Sequence, residues 1–147
     1  MKTTSLRSRA IGYLARREHS RAELMQKLAP HTEEASDVTA LLDDLEQRGF
    51  LSDPRFAAEF VRAKSRRFGV AYIAYALREK GIAQETITEM LRALDDSELE
   101  RARRVWQSKF GARPASLDER GKQARFLAGR GFLPEVIRKV LRGGGAI

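Results

Sequence analysis

Apolar residues recur along this chain at helical spacing, and the same phrases return at a fixed distance. Leu6, Ala10, Ile11 and Leu14 form one stripe and Val38, Leu41, Leu42 and Leu45 another, at the three- and four-residue intervals that bring side chains onto one helix face. Ser20 to Leu28 reads SRAELMQKL, Gly69 to Leu77 reads GVAYIAYAL, and a third helical stretch closes on Phe126-Leu127. Leu28, Leu77 and Leu127 lie 49 and 50 positions apart. A second phrase keeps the register: Lys80-Gly81-Ile82 is followed by Ile87 and Leu91, and Arg130-Gly131-Phe132 by Ile137 and Leu141, at the same offsets from each glycine. A period of this length marks stacked supersecondary units.

No stretch alternates β-branched and aromatic residues as a strand would. Helix starts are marked by Ser20 with Glu23, Ser97 with Glu100 and Ser116 with Glu119, each spaced as a capping box in which hydroxyl and carboxylate satisfy orphan amides. Asp53-Pro54 reads as an N-cap followed by a proline whose missing N–H is not needed in the first turn. Gly49, Gly69, Gly81, Gly111 and Gly131 stand where a left-handed residue would end a helix. Dividing at these signals gives three sets of three helices: 6–18, 20–29 and 33–48; 54–67, 70–80 and 83–94; 97–110, 117–129 and 133–142. A three-helix unit buries its own faces poorly, so neighbours must stack. The expected fold is all-α: three tandem three-helix repeats, residues 1–49, 50–95 and 96–147, in an elongated, curved body. Looser points are expected at His31-Thr32, at 111–116 and in the glycine-rich tail from Gly143.

Charge changes this picture. The net charge of +8 divides unevenly: residues 1–30 carry seven bases and two acids, 31–60 two and eight, 61–100 seven and seven, and 101–147 twelve and three. Two basic ends flanking an acidic bridge favour a polyanionic partner, because a long-range positive field attracts phosphate backbones. There is no cysteine, which excludes disulfides and thiolate metal sites and agrees with a reducing cytoplasm. The longest apolar run, Val70 to Leu77, is too short for a membrane span. Residues 1–17 contain five bases and no acid, a composition also found in transit peptides; the apolar stripe running on into Ser20 favours a helix of the fold itself.

Catalytic chemistry has little to work with. His19 and His31 flank helix ends without a carboxylate cluster and read as surface residues; Ser20 is already explained as a cap. Asp43, Asp44 and Glu46 read as a solvated face, and no glycine-rich phosphate loop occurs. The chain is therefore expected to bind rather than catalyse, with no cofactor, no metal and no membrane partner. In the central unit Arg62, Lys64, Arg66 and Arg67 run into Phe68-Gly69 and on to Tyr72, Tyr75 and Arg78. Tyrosine with arginine suits both interface hot spots and base stacking; the tyrosines could equally pack on the next repeat. In the last unit Arg101, Arg104 and Arg125 are taken from a larger basic set as candidate contacts, and Trp106, Phe110 and Phe126 as interior.

Gly49-Phe50-Leu51-Ser52-Asp53-Pro54-Arg55-Phe56-Ala57, then Phe60-Val61-Arg62, Gly69, Ile73, Leu77 and Lys80-Gly81-Ile82 resemble the signature at the centre of the RecX family of bacterial regulators. AIGYLARREHSRAELMQKL is similar to its first helical pair, and Arg130-Gly131-Phe132 with Ile137 to its last, so the resemblance covers essentially residues 8–142. Ser52 and Val70 depart from the acidic residue and the proline often found there. The resemblance implies a cytoplasmic protein of three tandem three-helix repeats that binds the recombinase RecA, lies along the RecA–DNA filament and limits its extension or activity. A monomer is expected, and DNA bound with weak sequence specificity at most; from the distribution of charge we expect the basic ends to meet phosphate and the acidic bridge to meet basic protein. The rival reading is a transcription factor of helix-turn-helix type; no helix collects the Asn, Gln and Arg cluster that reads base edges.

Overall fold

The computed structural model describes residues 5–143 and places nine α-helices and two short 3-10 turns among them. They are α1 (Leu6–Arg16), α2 (Arg21–Leu28), α3 (Ala35–Gln47), α4 (Asp53–Lys64), α5 (Val70–Glu79), α6 (Gln84–Arg92), α7 (Glu98–Lys109), α8 (Leu117–Gly129) and α9 (Pro134–Gly143). Gly144 and Gly145 of the expected tail lie outside the described residues.

Each set of three helices closes its own core. Ala10, Leu24, Val38, Leu42 and Leu45 fill the first, Phe56, Val61, Ile73, Ile82 and Ile87 the second, and Ala102, Trp106, Phe132, Ile137 and Val140 the third. Leu28, Leu77 and Leu127 are each 0% exposed, so the residue that sets the period is the one each middle helix drives deepest. The phenyl rings expected inside are only half buried at Phe110 and Phe126, where they meet edge to face at 5.5 Å. Trp106 is interior, its indole N–H donating to Gln123 Oε1 at 2.8 Å.

Adjacent units meet through one repeated joint. The N-terminal ends of α2 and α5 each abut the turn between the second and third helices of the following unit. In the second joint the Gly69 N–H donates to the Arg130 carbonyl (2.8 Å) and the Ala71 N–H to the Gly131 carbonyl (3.1 Å), while the Val70 N–H donates to the Glu98 carboxylate (3.4 Å). Three amides that α5 would otherwise leave orphaned are thus satisfied by the next unit. In the first joint the Arg21 N–H donates to Asp53 Oδ1 at 2.8 Å. Asp53 and Glu98 are the first residues of α4 and α7 and hold equivalent posts. The turns carry Gly81 (φ 79°) and Gly131 (φ 90°), and a Cβ there would fall 2.6 Å from Ala22 Cβ and 2.5 Å from the Tyr72 nitrogen respectively.

Three boundary readings are corrected by this geometry. Gly69 is not a left-handed helix stop: its φ is −90° and it is the extended N-cap residue just before α5. It is glycine because a Cβ would lie 2.5 Å from the Gly131 carbonyl oxygen. Ser97 forms no capping box: its backbone is helical, and its hydroxyl donates to the Leu94 carbonyl and accepts from Arg101 Nε, both at 3.0 Å. At the start of α4 the cap is Ser52, whose hydroxyl accepts from the Arg55 N–H, releasing Asp53 for the joint. The box at Ser20 is complete, and Ser116 caps α8 by accepting from the Glu119 N–H.

Candidate functional site

The basic segment at the end of α4 would be a loose loop if nothing held it. Ser65 continues α4 by a backbone bond to Val61, and the chain must then reverse into α5 within a few residues. Arg101, reaching across from α7, fixes that reversal by donating from one nitrogen to the carbonyls of Ser65 and Phe68, both at 2.8 Å. Its other terminal nitrogen meets Glu98 Oε1 at 2.5 Å. Burial pushes the Glu98 carboxyl up from its ordinary value, an effect Arg101 and the Val70 N–H oppose. Burial likewise pushes the Arg101 guanidinium down, with Glu98 opposing; an arginine so placed stays charged.

Held in this way, Arg66 and Arg67 face α7 and the end of α8 across a groove of about 320 Å3. Arg104 and Lys109 of α7 and Arg130 after α8 supply the other cations, with Val105 and Phe126 as an apolar floor. Lys109 Nζ stands 5.5 Å from the Phe126 ring centre and the Arg130 guanidinium 5.0 Å from it on the Phe126 side and 5.2 Å from Phe68 on the other. Cations over aromatic faces keep their charge and their donors. Among the described residues, Arg104 is the only one of the five with an ion pair, an exposed one to Glu100 at 3.4 Å.

The residues singled out from sequence therefore part company. Arg66, Arg67 and Arg104 line the groove together. Arg101 is 7% exposed and engaged with Glu98 and the α4–α5 turn, so it is not free to make a contact of its own; it holds the turn that bears Arg66 and Arg67. Tyr72 is half buried and stacked on Phe68 at 4.0 Å between ring centres, which makes it packing in the second joint. Tyr75 is 62% exposed but stands on α5 away from the groove lining, with Arg78 bonded to Gln84 Oε1. Arg62 pairs with Glu59 at 3.3 Å, and Lys64 lies over the Phe60 and Phe68 rings. Arg125 is exposed on α8 beside Arg120 and Arg138, outside the groove. In the sequence Lys109 and Arg130 are only two members of a long basic set; nothing in their spacing says that both converge on Phe126.

On the acidic side of α3, charges are matched internally. Asp43 and Glu46 both take Arg21, at 2.8 and 2.5 Å, and Asp44 takes Arg7 and Arg48, at 2.6 and 3.0 Å. The expected acidic face of the first unit is thus largely neutralised by its own arginines. At the first joint, burial pushes the Glu23 carboxyl up, but bonds from Arg17, the Ser20 N–H and Lys80 outweigh it and hold the group at about 2. His19 is also not the surface residue expected. It is 2% exposed, with Nδ1 on the Arg17 carbonyl (3.1 Å) and Nε2 on Lys27 Nζ (2.9 Å). Burial lowers its pKa, so Nε2 accepts from the lysine and the ring is the neutral Nδ1–H tautomer. No helix among the described residues is long and apolar enough to cross a membrane.

Three stacked three-helix units with a cationic groove at one joint define a class: an all-α protein of tandem three-helix repeats. Residues 7–45, 52–91 and 96–141 match the first, second and third three-helix domains of RecX in turn. The chain belongs to the RecX family. It is 51% identical over 138 residues to the Regulatory protein RecX of Leptothrix cholodnii, covering 94% of this chain and 88% of that one. It is 44% identical over 143 residues to that of Ralstonia nicotianae, covering 97% and 90%. Among solved structures, RecX from Lactobacillus salivarius superposes with a TM-score of 0.80 at 19% identity, over 93% of this chain and 92% of that one. Another regulatory protein RecX gives 0.81 at 22%, over 93% and 71%.

Proposed function

We propose that this chain is a non-catalytic regulator in DNA repair and recombination that binds the RecA recombinase and the filament RecA forms on DNA, limiting the filament's extension and activity. It works in the cytoplasm as a monomer, its three units spanning 1–49, 50–95 and 96–147. The single observation that carries the reading is the gathering of Arg66, Arg67, Arg104, Lys109 and Arg130 at the joint between the second and third units. Like charges so close repel one another unless an anion is present, and a nucleoprotein filament offers a continuous one. The internal pairing of Asp43, Asp44 and Glu46 leaves less free charge on the acidic bridge, which favours this groove as the contact.

A sequence-reading transcription factor is the poorer fit. Recognition helices enter the major groove with their N-terminal residues, and the N-terminus of α5 is closed off by Arg130, Gly131 and Glu98.

Reversing Arg66 and Arg67 to glutamate should weaken binding to RecA filaments on single-stranded DNA while leaving the fold intact, since exposed substitutions shift stability by no more than about 0.5 kcal/mol. If the two arginines meet phosphate, the log–log salt slope should flatten by roughly 0.7 for each phosphate that is released; if they meet protein, affinity should fall at constant slope. A well-folded double variant that still restrains the filament as the parent does would remove this surface from the account.

A further inference from the structure

The helix pair α8–α9 repeats the pair α5–α6, and the two surfaces differ. In the second unit Arg78 donates to Gln84 Oε1 at 3.0 Å and the Gln84 amide donates to Thr88 Oγ1 at 3.2 Å, a polar bridge laid from the end of α5 across the start of α6. In the register that matches Gly81 to Gly131 and Ile87 to Ile137, these three positions become Ala128, Pro134 and Arg138. The bridge cannot form there, and a trough of about 410 Å3 stays open between α8 and α9. Ala124, Ala128 and Pro134 line it over the buried Ile137 and Leu141. Leu117, 86% exposed, precedes Ala124 by seven positions and Ala128 by eleven, on the same face of α8, and carries the apolar strip to the start of the helix. From Leu117 to Ala128 the strip runs about 16 Å, or about three turns.

The rim changes in step with the floor. Arg120, Arg125 and Arg138 flank the trough, where the second unit has Val70, Tyr75 and Thr88 at the equivalent positions. Among the described residues no ion-pair or hydrogen-bond partner meets any of the three guanidinium groups, and no carboxylate lines the trough. A floor of small side chains leaves room for a second helix to pack at close range. A nucleic acid could meet the arginines, but it has no aliphatic side chain to bury, and the floor offers no aromatic ring on which a base would stack. An acidic amphipathic helix answers both features, with an apolar stripe for the trough and carboxylates for the arginine forks.

We infer that the α8–α9 trough is a docking site for an acidic amphipathic helix of a partner protein, its apolar side chains seated between Ala124, Ala128 and Pro134 and its carboxylates on Arg120, Arg125 and Arg138. The site shares no residue with the cationic groove, and binding there needs neither RecA nor DNA.

The test uses the purified full chain and a fluorescein-labelled peptide two heptads long, with leucine along one face and glutamate on its flanks, followed by anisotropy. An isomer of the same composition, its leucines scattered round the helix, is the control. The striped peptide should bind, and the isomer at least about 10-fold more weakly, because only the first has a stripe to bury. Arg120→Ala/Arg125→Ala should weaken binding about 2- to 30-fold, the loss of two exposed ion pairs. Ala128→Arg/Pro134→Gln rebuilds the second unit's bridge over the trough. It should weaken binding about 10- to 100-fold, as when one leucine is kept from burial, even though it adds a positive charge. Both replaced residues are exposed and take the side chains that Arg78 and Gln84 carry at the same helix positions, so the fold is retained. Tighter binding by this variant overturns the inference, since the peptide would then be following charge alone. Equal binding of the two isomers, unchanged binding by Arg120→Ala/Arg125→Ala, or no binding of the striped peptide by the parent chain overturns it as well. Displacement of the bound peptide by oligothymidylate of equal charge would mark the trough as a nucleic-acid surface and overturns it too.

Discussion

Replacing Arg101 with methionine should destabilise the chain by about 3–5 kcal/mol, the usual consequence of removing one partner from a buried ion pair. That is a large share of the roughly 5–15 kcal/mol that typically holds a domain together. The physical reason is that methionine leaves Glu98, 5% exposed, facing only the long Val70 N–H bond, and strips the Ser65 and Phe68 carbonyls of their donor. Removing the whole pair should be far less damaging. A Glu98→Leu/Arg101→Met double variant deletes both charges together, and apolar replacements of buried pairs are often neutral. Urea unfolding at constant m-value measures all three proteins. A single variant within about 0.5 kcal/mol of the parent, the range expected of an ordinary surface change, would show that Arg101 does not clamp the joint. The double variant has a second use: it should regain the part of the stability lost to the unpaired Glu98, yet leave the turn bearing Arg66 and Arg67 untethered, so its binding should stay impaired.

Gly131→Ala should be the other severe change, above about 3 kcal/mol, because two penalties coincide there. The left-handed backbone (φ 90°) costs a side-chain-bearing residue about 1–2 kcal/mol. The added methyl would also meet the Tyr72 nitrogen at 2.5 Å and its Cα at 2.9 Å, backbone that cannot move without breaking the Ala71 bond to the Gly131 carbonyl. Gly49 provides the comparison, having φ 80° but no atom within 4 Å of the place a methyl would take. Gly49→Ala should therefore cost only the conformational part, about 1–2 kcal/mol. The melting-temperature difference between the two variants isolates the closeness of the joint; equal shifts would mean that the second and third units slide apart at little cost.

The period of Leu28, Leu77 and Leu127 and the paired phrases at Gly81 and Gly131 make the three units legible, because packing within a unit is a local matter of helical spacing. Those glycines also announce the turns. What spacing does not reveal is the reason for them: Ala22 and Tyr72, which demand the absence of a Cβ, lie 59 positions before each glycine. The same limit hides the roles of Gly69 and Arg101. A glycine beside a helix start looks like any other stop until Gly131 is seen against it, and one arginine in a strongly basic last unit looks solvated until Ser65 and Phe68 turn their carbonyls towards it. His19 looks exposed in the sequence because its partners, the Arg17 carbonyl and Lys27, come together only when α2 folds back beneath Tyr13, 5.9 Å from the imidazole. Arg66, Arg67 and Arg104 are marked by charge and residue type, which survive exposure; their company with Lys109 and Arg130 depends on the stacking of units.

Adding the purified protein to RecA assembled on single-stranded DNA and following ATP hydrolysis tests the proposed restraint of the RecA filament most directly. Hydrolysis should fall as the protein is added, with the Arg66→Glu/Arg67→Glu variant much less effective. An unchanged rate at equimolar protein would contradict the claim.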